Sequence, residues 1–259
     1  MKFYKYEGLG NDFILIEDFD SKAPKDKKFT RNLCNRHFGI GADGILYLQK
    51  SKAGYFMKLI NSDGTEAEMC GNGIRCIAKH LHDFGFVKTK KFMINTKAGL
   101  KKLEVKLKSA KVSEVTVDVG PPEFLGVANL LGETLHLVSM GNPHAVILKN
   151  KIDLEEVNEK GRKLESHNYF PNRTNVEFVK VKSKNQLEAV VYERGVGLTL
   201  ACGTGACASA AIAVKLGIVR INHWVGVKLP GGFLRIKISP SYSSILMSGP
   251  ANLVFKGEI

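Results

Sequence analysis

The sequence predicts an α+β protein made of two homologous, strand-rich domains related by pseudo-twofold symmetry. Two short motifs are the main reason: Cys-Gly-Asn-Gly begins at Cys70, and Cys-Gly-Thr-Gly begins at Cys202, half a chain length further on. An apolar helical stretch follows each motif and ends at a glycine, Gly85 or Gly217. A self-match at one fixed offset is typical of an internal duplication.

Other landmarks repeat at nearly the same offset. Gly10-Asn11 matches Gly141-Asn142, and Gly99-Leu100 matches Gly232-Phe233. The offset of each pair differs from that of the two cysteines by a single position. Chance similarity between glycine-rich motifs is the alternative, but it does not explain why the pairs share one register.

The duplication also predicts where the domains divide. Asn61 and Glu193 each stand nine residues before a motif cysteine, and the Gly120-Pro121-Pro122 segment near the midpoint is the strongest boundary signal. We therefore predict an N-terminal half-repeat at residues 1–119 and a C-terminal half-repeat at residues 120–248. A last strand, at about 249–259, exceeds the repeat and is able to return to the first half.

The elements of the first half follow from hydrophobic periodicity. The helix after Cys70 has apolar side chains at Ile74, Ile77 and Leu81, the spacing of one buried face. Thr30 is the candidate cap of a short helix that ends near His37. Alternating or continuous apolar runs predict strands at 2–7, 12–17, 45–49, 54–60, 91–96, 99–107 and 112–119.

The second half repeats this order of elements. Helices are predicted at 153–164 and 203–216, and strands at 144–149, 175–182, 187–193, 225–229, 233–238 and 244–255. The run 195–214 carries no charge and has the length of a membrane span. Its four glycines, two threonines and one serine favour a strand end, a turn and a buried helix instead, so we predict no membrane segment.

Composition limits the classes of partner. The 259 residues carry a net charge of +13, but 30 of the 38 basic residues are lysines, and they are scattered in short clusters. Nucleic-acid-binding proteins usually concentrate arginine and aromatic residues on one face. A solvated lysine-rich surface is therefore the better interpretation, and we predict no nucleic-acid partner.

The cysteines indicate a reduced environment. Five cysteines are present without any Cys-x-x-Cys pair, so a structural zinc site is not expected. The first residues lack the apolar core of a signal peptide, and a cytoplasmic location is predicted. Cys34, Cys76 and Cys207 lack a following Gly-x-Gly and are interpreted as small buried hydrophobic residues.

A cysteine at a helix start can act as an acid or a base. Its thiol has a pKa near ~8.5, and the helix N-terminus is expected to lower that pKa. The neighbouring glycines let a carboxylate approach the exposed N–H groups. Cys70 and Cys202, one in each half, could therefore place sulfur on both faces of one α-carbon and invert it without a cofactor or a metal.

Other polar residues stand at the ends of apolar stretches. The four asparagines among them can both donate and accept hydrogen bonds, which suits an amino-acid ligand, although each could also be a turn residue. An arginine follows the predicted strand at 187–193, and its side chain can bind a carboxylate through two parallel hydrogen bonds or form a surface ion pair. A histidine and a glutamate could tune the thiols. These residues are Asn11, Asn61, Asn142, Asn175, Arg194, His144 and Glu193.

The ordered motifs resemble the diaminopimelate epimerase family over nearly the whole chain. The matching segments are Gly8-Leu9-Gly10-Asn11-Asp12-Phe13, Arg36-His37-Phe38-Gly39-Ile40-Gly41-Ala42-Asp43, Asn61-Ser62-Asp63-Gly64, Cys70-Gly71-Asn72-Gly73-Ile74-Arg75-Cys76, Gly141-Asn142-Pro143-His144, Arg173-Thr174-Asn175, Tyr192-Glu193-Arg194-Gly195, Ala201-Cys202-Gly203-Thr204-Gly205 and Leu229-Pro230-Gly231-Gly232. The resemblance implies two domains, each wrapped around a central helix, with the active site in the cleft between them. It also implies interconversion of LL- and meso-2,6-diaminopimelate in lysine and cell-wall precursor synthesis.

The same resemblance assigns roles to single residues. Cys70 and Cys202 would be the acid–base pair, and His144 and Glu193 would adjust them. The reacting carboxylate would be held by Gly71, Asn72, Gly203 and Thr204. The substrate would be read by Asn11, Asn61, Asn142, Asn175, Glu193 and Arg194, with Asn61, Asn175 and Arg194 at the non-reacting end.

Two further points come from the resemblance. Some relatives have glutamine where this chain has Gly44, so a side-chain contact is missing there. Members of the family are commonly homodimers, and Phe255 falls where an aromatic residue supports the dimer contact.

Two other functions fit parts of the pattern. A cofactor-independent racemase of the same fold, acting on proline, hydroxyproline or histidine, would keep both thiols but would not need Arg194. A thiol redox switch would use Cys70 and Cys202 as a disulfide pair, but it would leave Arg194 and the asparagines unexplained.

Overall fold

The computed structural model of the protein describes residues 1–52 and 54–259. The chain divides into two compact units. Unit 1 comprises Met1–Val117 and Gly249–Ile259, and unit 2 comprises Asp118–Ser248. Each unit combines many strands with two helices, which confirms the predicted strand-rich α+β class.

Unit 1 follows the order of elements expected from hydrophobic periodicity. Its helices are α1 (Lys27–Cys34) and α2 (Gly71–Asp83). Its strands are β1 (Lys2–Gly8), β2 (Asn11–Glu17), β3 (Gly44–Ser51), β4 (Gly54–Asn61), β5 (Glu66–Ala67), β6 (Lys91–Thr96), β7 (Gly99–Lys108) and β18 (Asn252–Glu258), and β8 (Lys111–Gly120) runs past the unit boundary.

Unit 2 contains the same kinds of element in the same order, except that its outer strand comes first whereas the corresponding strand of unit 1, β18, comes last. Its helices are α3 (Leu154–Glu165) and α4 (Gly203–Lys215). Its strands are β9 (Glu123–Leu130), β10 (Glu133–Ser139), β11 (Pro143–Leu148), β12 (Asn175–Ser183), β13 (Gln186–Glu193), β14 (Gly197–Thr199), β15 (Val225–Leu229) and β16 (Gly232–Ile238), and β17 (Ile245–Gly249) ends one residue past the unit boundary.

The two units share one pattern of strand pairing. In unit 1, β2 and β3 are parallel, β4 and β6 are parallel, and β18 pairs antiparallel with β1. In unit 2, β11 and β12 are parallel, β13 and β15 are parallel, and β9 pairs antiparallel with β10. Phe13 lies beside Gly44 in the first unit as His144 lies beside Asn175 in the second. The predicted homology of the two halves is therefore confirmed element by element.

A central helix is buried within each unit. Unit 1 packs α2 against β1, β2, β3, β4, β7 and β18, and unit 2 packs α4 against β10, β11, β12, β13, β15 and β16. Ile74, Ile77 and Leu81 of α2 have no exposed surface, and burial of each such side chain contributes roughly 1.5–3 kcal/mol. The same packing fixes where the N-terminus of each helix lies.

Three local predictions were wrong. The first helix begins before Thr30, because Asp26 caps it by accepting a hydrogen bond from the N–H of Phe29 at 2.9 Å. Strands β9 and β10 were not predicted, since β9 is mostly exposed and lacks a clean alternation. The single strand expected at 244–255 is two strands, because Pro250 has no N–H for a ladder.

In the part of the chain that is described, no helix has the length and apolarity needed to cross a membrane.

Candidate active site

The first half-site is the N-terminus of α2 in unit 1. Cys70 is the N-cap, and its Sγ accepts a hydrogen bond from the N–H of Gly73 at 3.4 Å. Sulfur thus takes the place that a Ser or Asp oxygen usually fills at a helix start. The first N–H groups of a helix have no acceptor within the helix, so this end can also receive an anion.

An asparagine faces Cys70 with its oxygen. Asn11 accepts hydrogen bonds at Oδ1 from Asn72 Nδ2 at 3.0 Å and from the Cys70 thiol at 3.8 Å. Asn11 Nδ2 donates to Asp43 Oδ2 at 2.7 Å, and this bond fixes the direction of the amide. Arg36 Nη2 forms ion pairs with both Asp43 and Asp12 at 2.7 Å each, and these pairs hold the Asp43 carboxylate in position.

A fully buried arginine lies one turn further along α2. Arg75 donates from Nη1 to the carbonyl of Gly71 and from Nη2 to Asn72 Oδ1, each at 3.0 Å. Its Nε donates to the carbonyl of Pro250 at 3.1 Å. The guanidinium therefore holds the first turn of α2 in place and supplies a buried positive charge near Cys70.

The second half-site is the N-terminus of α4 in unit 2. Cys202 is the N-cap, and its Sγ accepts from the N–H of Gly205 at 3.3 Å. Thr204 Oγ1 lies 3.6 Å from the same sulfur and receives a hydrogen bond from Asn142 Nδ2 at 3.4 Å. Cys202 and Cys70 thus cap their helices in the same way.

A buried histidine–glutamate pair adjoins this second helix start. His144 Nε2 lies 3.1 Å from Asn142 Oδ1, and His144 Nδ1 lies 2.6 Å from Glu177 Oε1. Both side chains have no exposed surface. A methyl group on Gly205 would lie 2.9 Å from Glu177 Oε1 and 3.2 Å from Cys202 Sγ, so the carboxylate and the thiol flank the same glycine.

The pKa expected for Cys202 needs a correction. The helix N-terminus was expected to lower it, but burial raises the pKa of the Cys202 thiol well above its usual value, and the carboxylates of Glu193 and Glu177 raise it further. Hydrogen bonds from Thr204 and Gly205 act in the opposite direction and are outweighed. Desolvation of the thiolate dominates because the side chain is almost entirely removed from water.

Glu193 lies beside the same sulfur. Its Oε1 accepts a hydrogen bond from Thr199 Oγ1 at 2.5 Å, and its carboxylate also interacts with Cys202. Burial raises the pKa of Glu193, and the nearby negative charge of Glu177 adds to that effect. Of the two residues predicted to tune the thiols, Glu193 interacts with Cys202 directly, whereas His144 is connected to it by hydrogen bonds through Asn142 and Thr204.

Asn175 and Arg194 form a second polar group in unit 2. Asn175 donates to the carbonyl of Pro143 at 2.8 Å and accepts from the N–H of Arg194 at 3.0 Å. The exposed Arg194 side chain donates to the carbonyl of Asn172 at 3.4 Å. Within the described residues Arg194 forms no salt bridge, so its charge can meet a ligand carboxylate.

Asn61 is not linked to the other predicted site residues of unit 1 by a hydrogen bond in the described chain. Its side chain donates to Thr65 Oγ1 at 3.1 Å. Gly44, its partner in the β3–β4 ladder, has no room for a side chain, because a Cβ there would lie 2.8 Å from the carbonyl oxygen of Ile60. A glutamine at position 44 would therefore need a shift of this strand.

The remaining cysteines lie away from the helix starts. Cys76 and Cys207 have no exposed surface, and Cys34 is buried among the apolar residues that surround α1. Burial raises the pKa of Cys34 to about 11. These positions fit their interpretation as small buried hydrophobic residues.

Several neighbours of the thiols were not among the predicted site residues. Glu177 and Asp43 were missed as partners of His144 and Asn11, and Arg75 was missed as the buried charge in α2. Glu177 carried a recognisable signal, because a carboxylate inside the apolar strand β12 stands where the repeat has Leu46.

In the described part of the chain, no group of three or more His, Cys, Asp or Glu residues is placed to hold a metal ion.

Sequence comparison establishes the family. The model of the family described as "Diaminopimelate epimerase" matches residues 3–125 and 136–254. The chain belongs to the diaminopimelate epimerase family. It is therefore an isomerase of the amino-acid epimerase class.

Relatives that align over the whole chain agree with this assignment. The diaminopimelate epimerase of a Synechocystis species is 41% identical over 282 aligned residues, which cover 100% of this chain and 98% of the relative. The diaminopimelate epimerase of Moorella thermoacetica is also 41% identical, over 277 aligned residues that cover 100% and 99%.

Solved structures show the fold at lower identity. A hydroxyproline epimerase from Agrobacterium vitis aligns with a TM-score of 0.77 at 14% identity, covering 100% of this chain and 90% of that one. A PhzF-family phenazine biosynthesis protein from Bacillus anthracis aligns with a TM-score of 0.79 at 14% identity, covering 100% and 98%. These likenesses place the chain in a fold shared by epimerases and PhzF-family proteins.

Proposed function

We propose that this enzyme interconverts LL- and meso-2,6-diaminopimelate, with Cys70 and Cys202 acting on opposite faces of the reacting α-carbon. One observation carries the proposal. In a chain of the diaminopimelate epimerase family, each unit caps its buried helix with a cysteine whose sulfur accepts the N–H of the third following residue. Two thiols in the same local setting are what a two-base inversion needs.

The chemistry needs only proton transfer. The thiolate of one cysteine takes the α-proton, so that a C–H bond breaks and an S–H bond forms. The thiol of the other cysteine gives its proton to the opposite face of the carbanion and becomes a thiolate. Atoms and charge balance, and the two cysteines have exchanged protonation states. First-turn N–H groups, including those of Gly71, Asn72, Gly203 and Thr204, would hold the α-carboxylate.

The two half-sites support different starting states. The raised pKa of Cys202 favours its thiol, which makes it the proton donor in this state of the enzyme. With the proton on Cys202, the sulfur that remains to act as the base is that of Cys70. We propose that Cys70 is the first base and Cys202 the first acid.

The non-reacting end of the substrate would be bound by Arg194 with Asn175 and Asn61. An arginine without a salt-bridge partner among the described residues can take a second carboxylate. Turnover of LL-diaminopimelate should therefore be compared with that of proline, hydroxyproline and histidine by product chirality. The proposal requires fast conversion of the diacid and negligible conversion of the others; faster turnover of any of the other three would reject it.

Cofactor independence is part of the proposal. Activity should be unchanged by chelators and by added pyridoxal phosphate, because both proton transfers use cysteine sulfur. Loss of activity after metal removal, with recovery on adding the metal back, would contradict it.

We also propose a cytoplasmic homodimer. On β18, which pairs with β1, Val254 and Phe255 leave apolar side chains exposed, and Phe255 packs edge-on against Phe3 at 5.9 Å between ring centroids. Light scattering of the purified protein should give twice the 28.5 kDa chain mass. Phe255→Asp should reduce this mass to that of one chain. A wild-type mass equal to that of one chain would reject the dimer.

A further inference from the structure

The polar pair adjoining α4 has an apolar counterpart in unit 1. His144 and Glu177 occupy the repeat positions of Phe13 and Leu46, which lie one repeat earlier in the chain. The spatial match is close: a Cβ on Gly73 would lie 2.9 Å from Leu46 Cδ2, and a Cβ on Gly205 would lie 2.9 Å from Glu177 Oε1. Unit 1 therefore shows that the backbone of this region forms with two apolar side chains.

A polar pair at this place is costly for folding. Both side chains are removed from water, and Glu177 Oε2 has no hydrogen-bond partner in the described chain. Replacing a buried ion pair by apolar residues of similar volume is often neutral or stabilising. Since the fold works without the pair in unit 1, its presence in unit 2 calls for another reason.

The hydrogen bonds of the pair define its protons. The amide of Asn142 donates from Nδ2 to Thr204 and turns its oxygen towards His144 Nε2, so Nε2 must carry a proton. A second proton lies between His144 Nδ1 and Glu177 Oε1, which are 2.6 Å apart. Whether this proton belongs to an imidazolium or to a carboxylic acid, the pair has no net charge.

The chain of hydrogen bonds ends at the sulfur of Cys202. Because Thr204 Oγ1 receives the N–H of Asn142, its own hydroxyl proton is available for Cys202 Sγ, 3.6 Å away. A donor aimed at sulfur stabilises the thiolate that Cys202 becomes after it gives up its proton. The direction of every bond in the chain depends on the proton at His144 Nε2.

We infer that Glu177 is a positioning residue for Cys202: by sharing a proton with His144 it keeps Nε2 protonated and directs the Asn142–Thr204 hydrogen bonds towards the sulfur. The inference rests on the proposed acid–base role of Cys202. Glu177 does not touch the substrate in this scheme and acts through three other side chains.

The test compares two isosteric changes in the full-length enzyme. Glu177→Gln removes the acidic proton and leaves an amide that can pair with either tautomer of His144, so that Nε2 is no longer held protonated. Glu17→Gln is the matched control, because Glu17 also pairs with a buried histidine, His80, at 2.9 Å near the other end of α2. We expect kcat of E177Q to fall by at least about tenfold with KM changed less than about threefold, and E17Q to change neither.

A spectroscopic reading separates a proton-sharing role from a merely structural one. In wild-type enzyme labelled with 15N-histidine, His144 should show hydrogen on Nε2 and a low-field proton at Nδ1. The low-field signal should be absent in E177Q. A bare Nε2 in the wild type would overturn the inference, whatever the kinetics.

A double variant with the residue types that unit 1 has at the equivalent positions distinguishes a loss of activity from a loss of folding. His144→Phe with Glu177→Leu should give a melting temperature equal to or above that of the wild type, yet a kcat at least as low as that of E177Q. A kcat of E177Q within about twofold of that of E17Q, or a marked loss of thermal stability in the double variant, would overturn the inference. Failure of the wild type to convert diaminopimelate would instead reject the proposed function, while the NMR reading would still report on the pair.

Discussion

The N-termini of α2 and α4 have the same backbone arrangement but different surroundings. In unit 1, the glycine of the first turn packs against Leu46, and Arg75 supplies a buried positive charge. In unit 2, the equivalent glycine packs against Glu177, and Cys207 stands where the repeat has Arg75. A buried cation therefore lies in the Cys70 half-site, where Asp43 is connected to the sulfur only through Asn11, whereas Glu177 and Glu193 interact with Cys202 itself.

This difference suits a reaction that needs a thiol and a thiolate at the same time. Each direction of the interconversion starts from one of the two singly protonated states, and unequal surroundings make one of these states more populated than the other. The repeat supplies the common geometry, and a few substitutions in each unit make the protonation states unequal. Substitutions at both helix starts test this difference.

Loss of either motif cysteine should have the largest effect. Cys70→Ala and Cys202→Ala should each lower epimerisation by at least about a thousandfold, because one of the two proton transfers loses its group. The matched controls Cys34→Ala and Cys207→Ala, one in each unit, should retain activity. Near-normal turnover in either motif variant, measured by conversion of LL- to meso-diaminopimelate, would remove that sulfur from the mechanism.

Arg194 should contribute next through binding of the substrate. Arg194→Gln should weaken diacid binding by about 2–5 kcal/mol, because the bound diacid would bury the Arg194 guanidinium that is exposed in the free enzyme, and the substrate carboxylate would lose its charge partner. The control is Arg162→Gln, on the exposed face of α3. Calorimetry with an unreactive diacid measures the difference; if R194Q changes only the salt dependence of binding, Arg194 is an ordinary surface charge.

The carboxylate network that orients Asn11 should stabilise unit 1. Lys5 and Arg36 hold the pKa of Asp12 at about 2, although burial alone would raise it. A folded pKa below the unfolded value adds stability above the unfolded pKa, and this is lost as pH falls from about 4 towards 2. Asp12→Asn should therefore cost roughly 2 kcal/mol at pH 7 and much less near pH 2. Equal losses at both pH values in denaturant unfolding would contradict the charge-based explanation.

The smallest expected change concerns Glu193. Its negative charge raises the pKa of Cys202, so Glu193→Gln should lower that pKa. Cys202 should then react with iodoacetamide at lower pH than in the wild type, while the profile of Cys70 stays in place. The shift is limited because burial, the larger cause, persists in the variant. Mass spectrometry of the alkylated peptides reads each cysteine separately, and an unmoved Cys202 profile would show that Glu193 does not tune it.

Much of the architecture could be predicted because duplication and periodicity are local signals. The offset between Cys70 and Cys202 revealed two halves, and the apolar spacing after each cysteine gave both buried helices. The start of α1 was misplaced because two residues, Asp26 and Thr30, could each cap a helix there, and only the packed backbone shows which one does.

The site was harder to predict because its electrostatics depend on burial. A helix N-terminus alone favours a thiolate, yet the depth of Cys202 and two nearby carboxylates reverse the expected direction of its pKa. The His144–Glu177 contact joins residues 33 positions apart through the parallel pairing of β11 and β12. A comparison of equivalent positions in the two halves identifies Glu177, because the first half has Leu46 at that position.

A crystal structure with an unreactive diaminopimelate analogue tests the two-sulfur mechanism most directly. The account predicts that the sulfurs of Cys70 and Cys202 lie on opposite faces of one α-carbon, each about 3.5 Å from it, with the α-carboxylate against both helix N-termini. A ligand that meets only one of the two sulfurs, or that binds away from both helix starts, would contradict it.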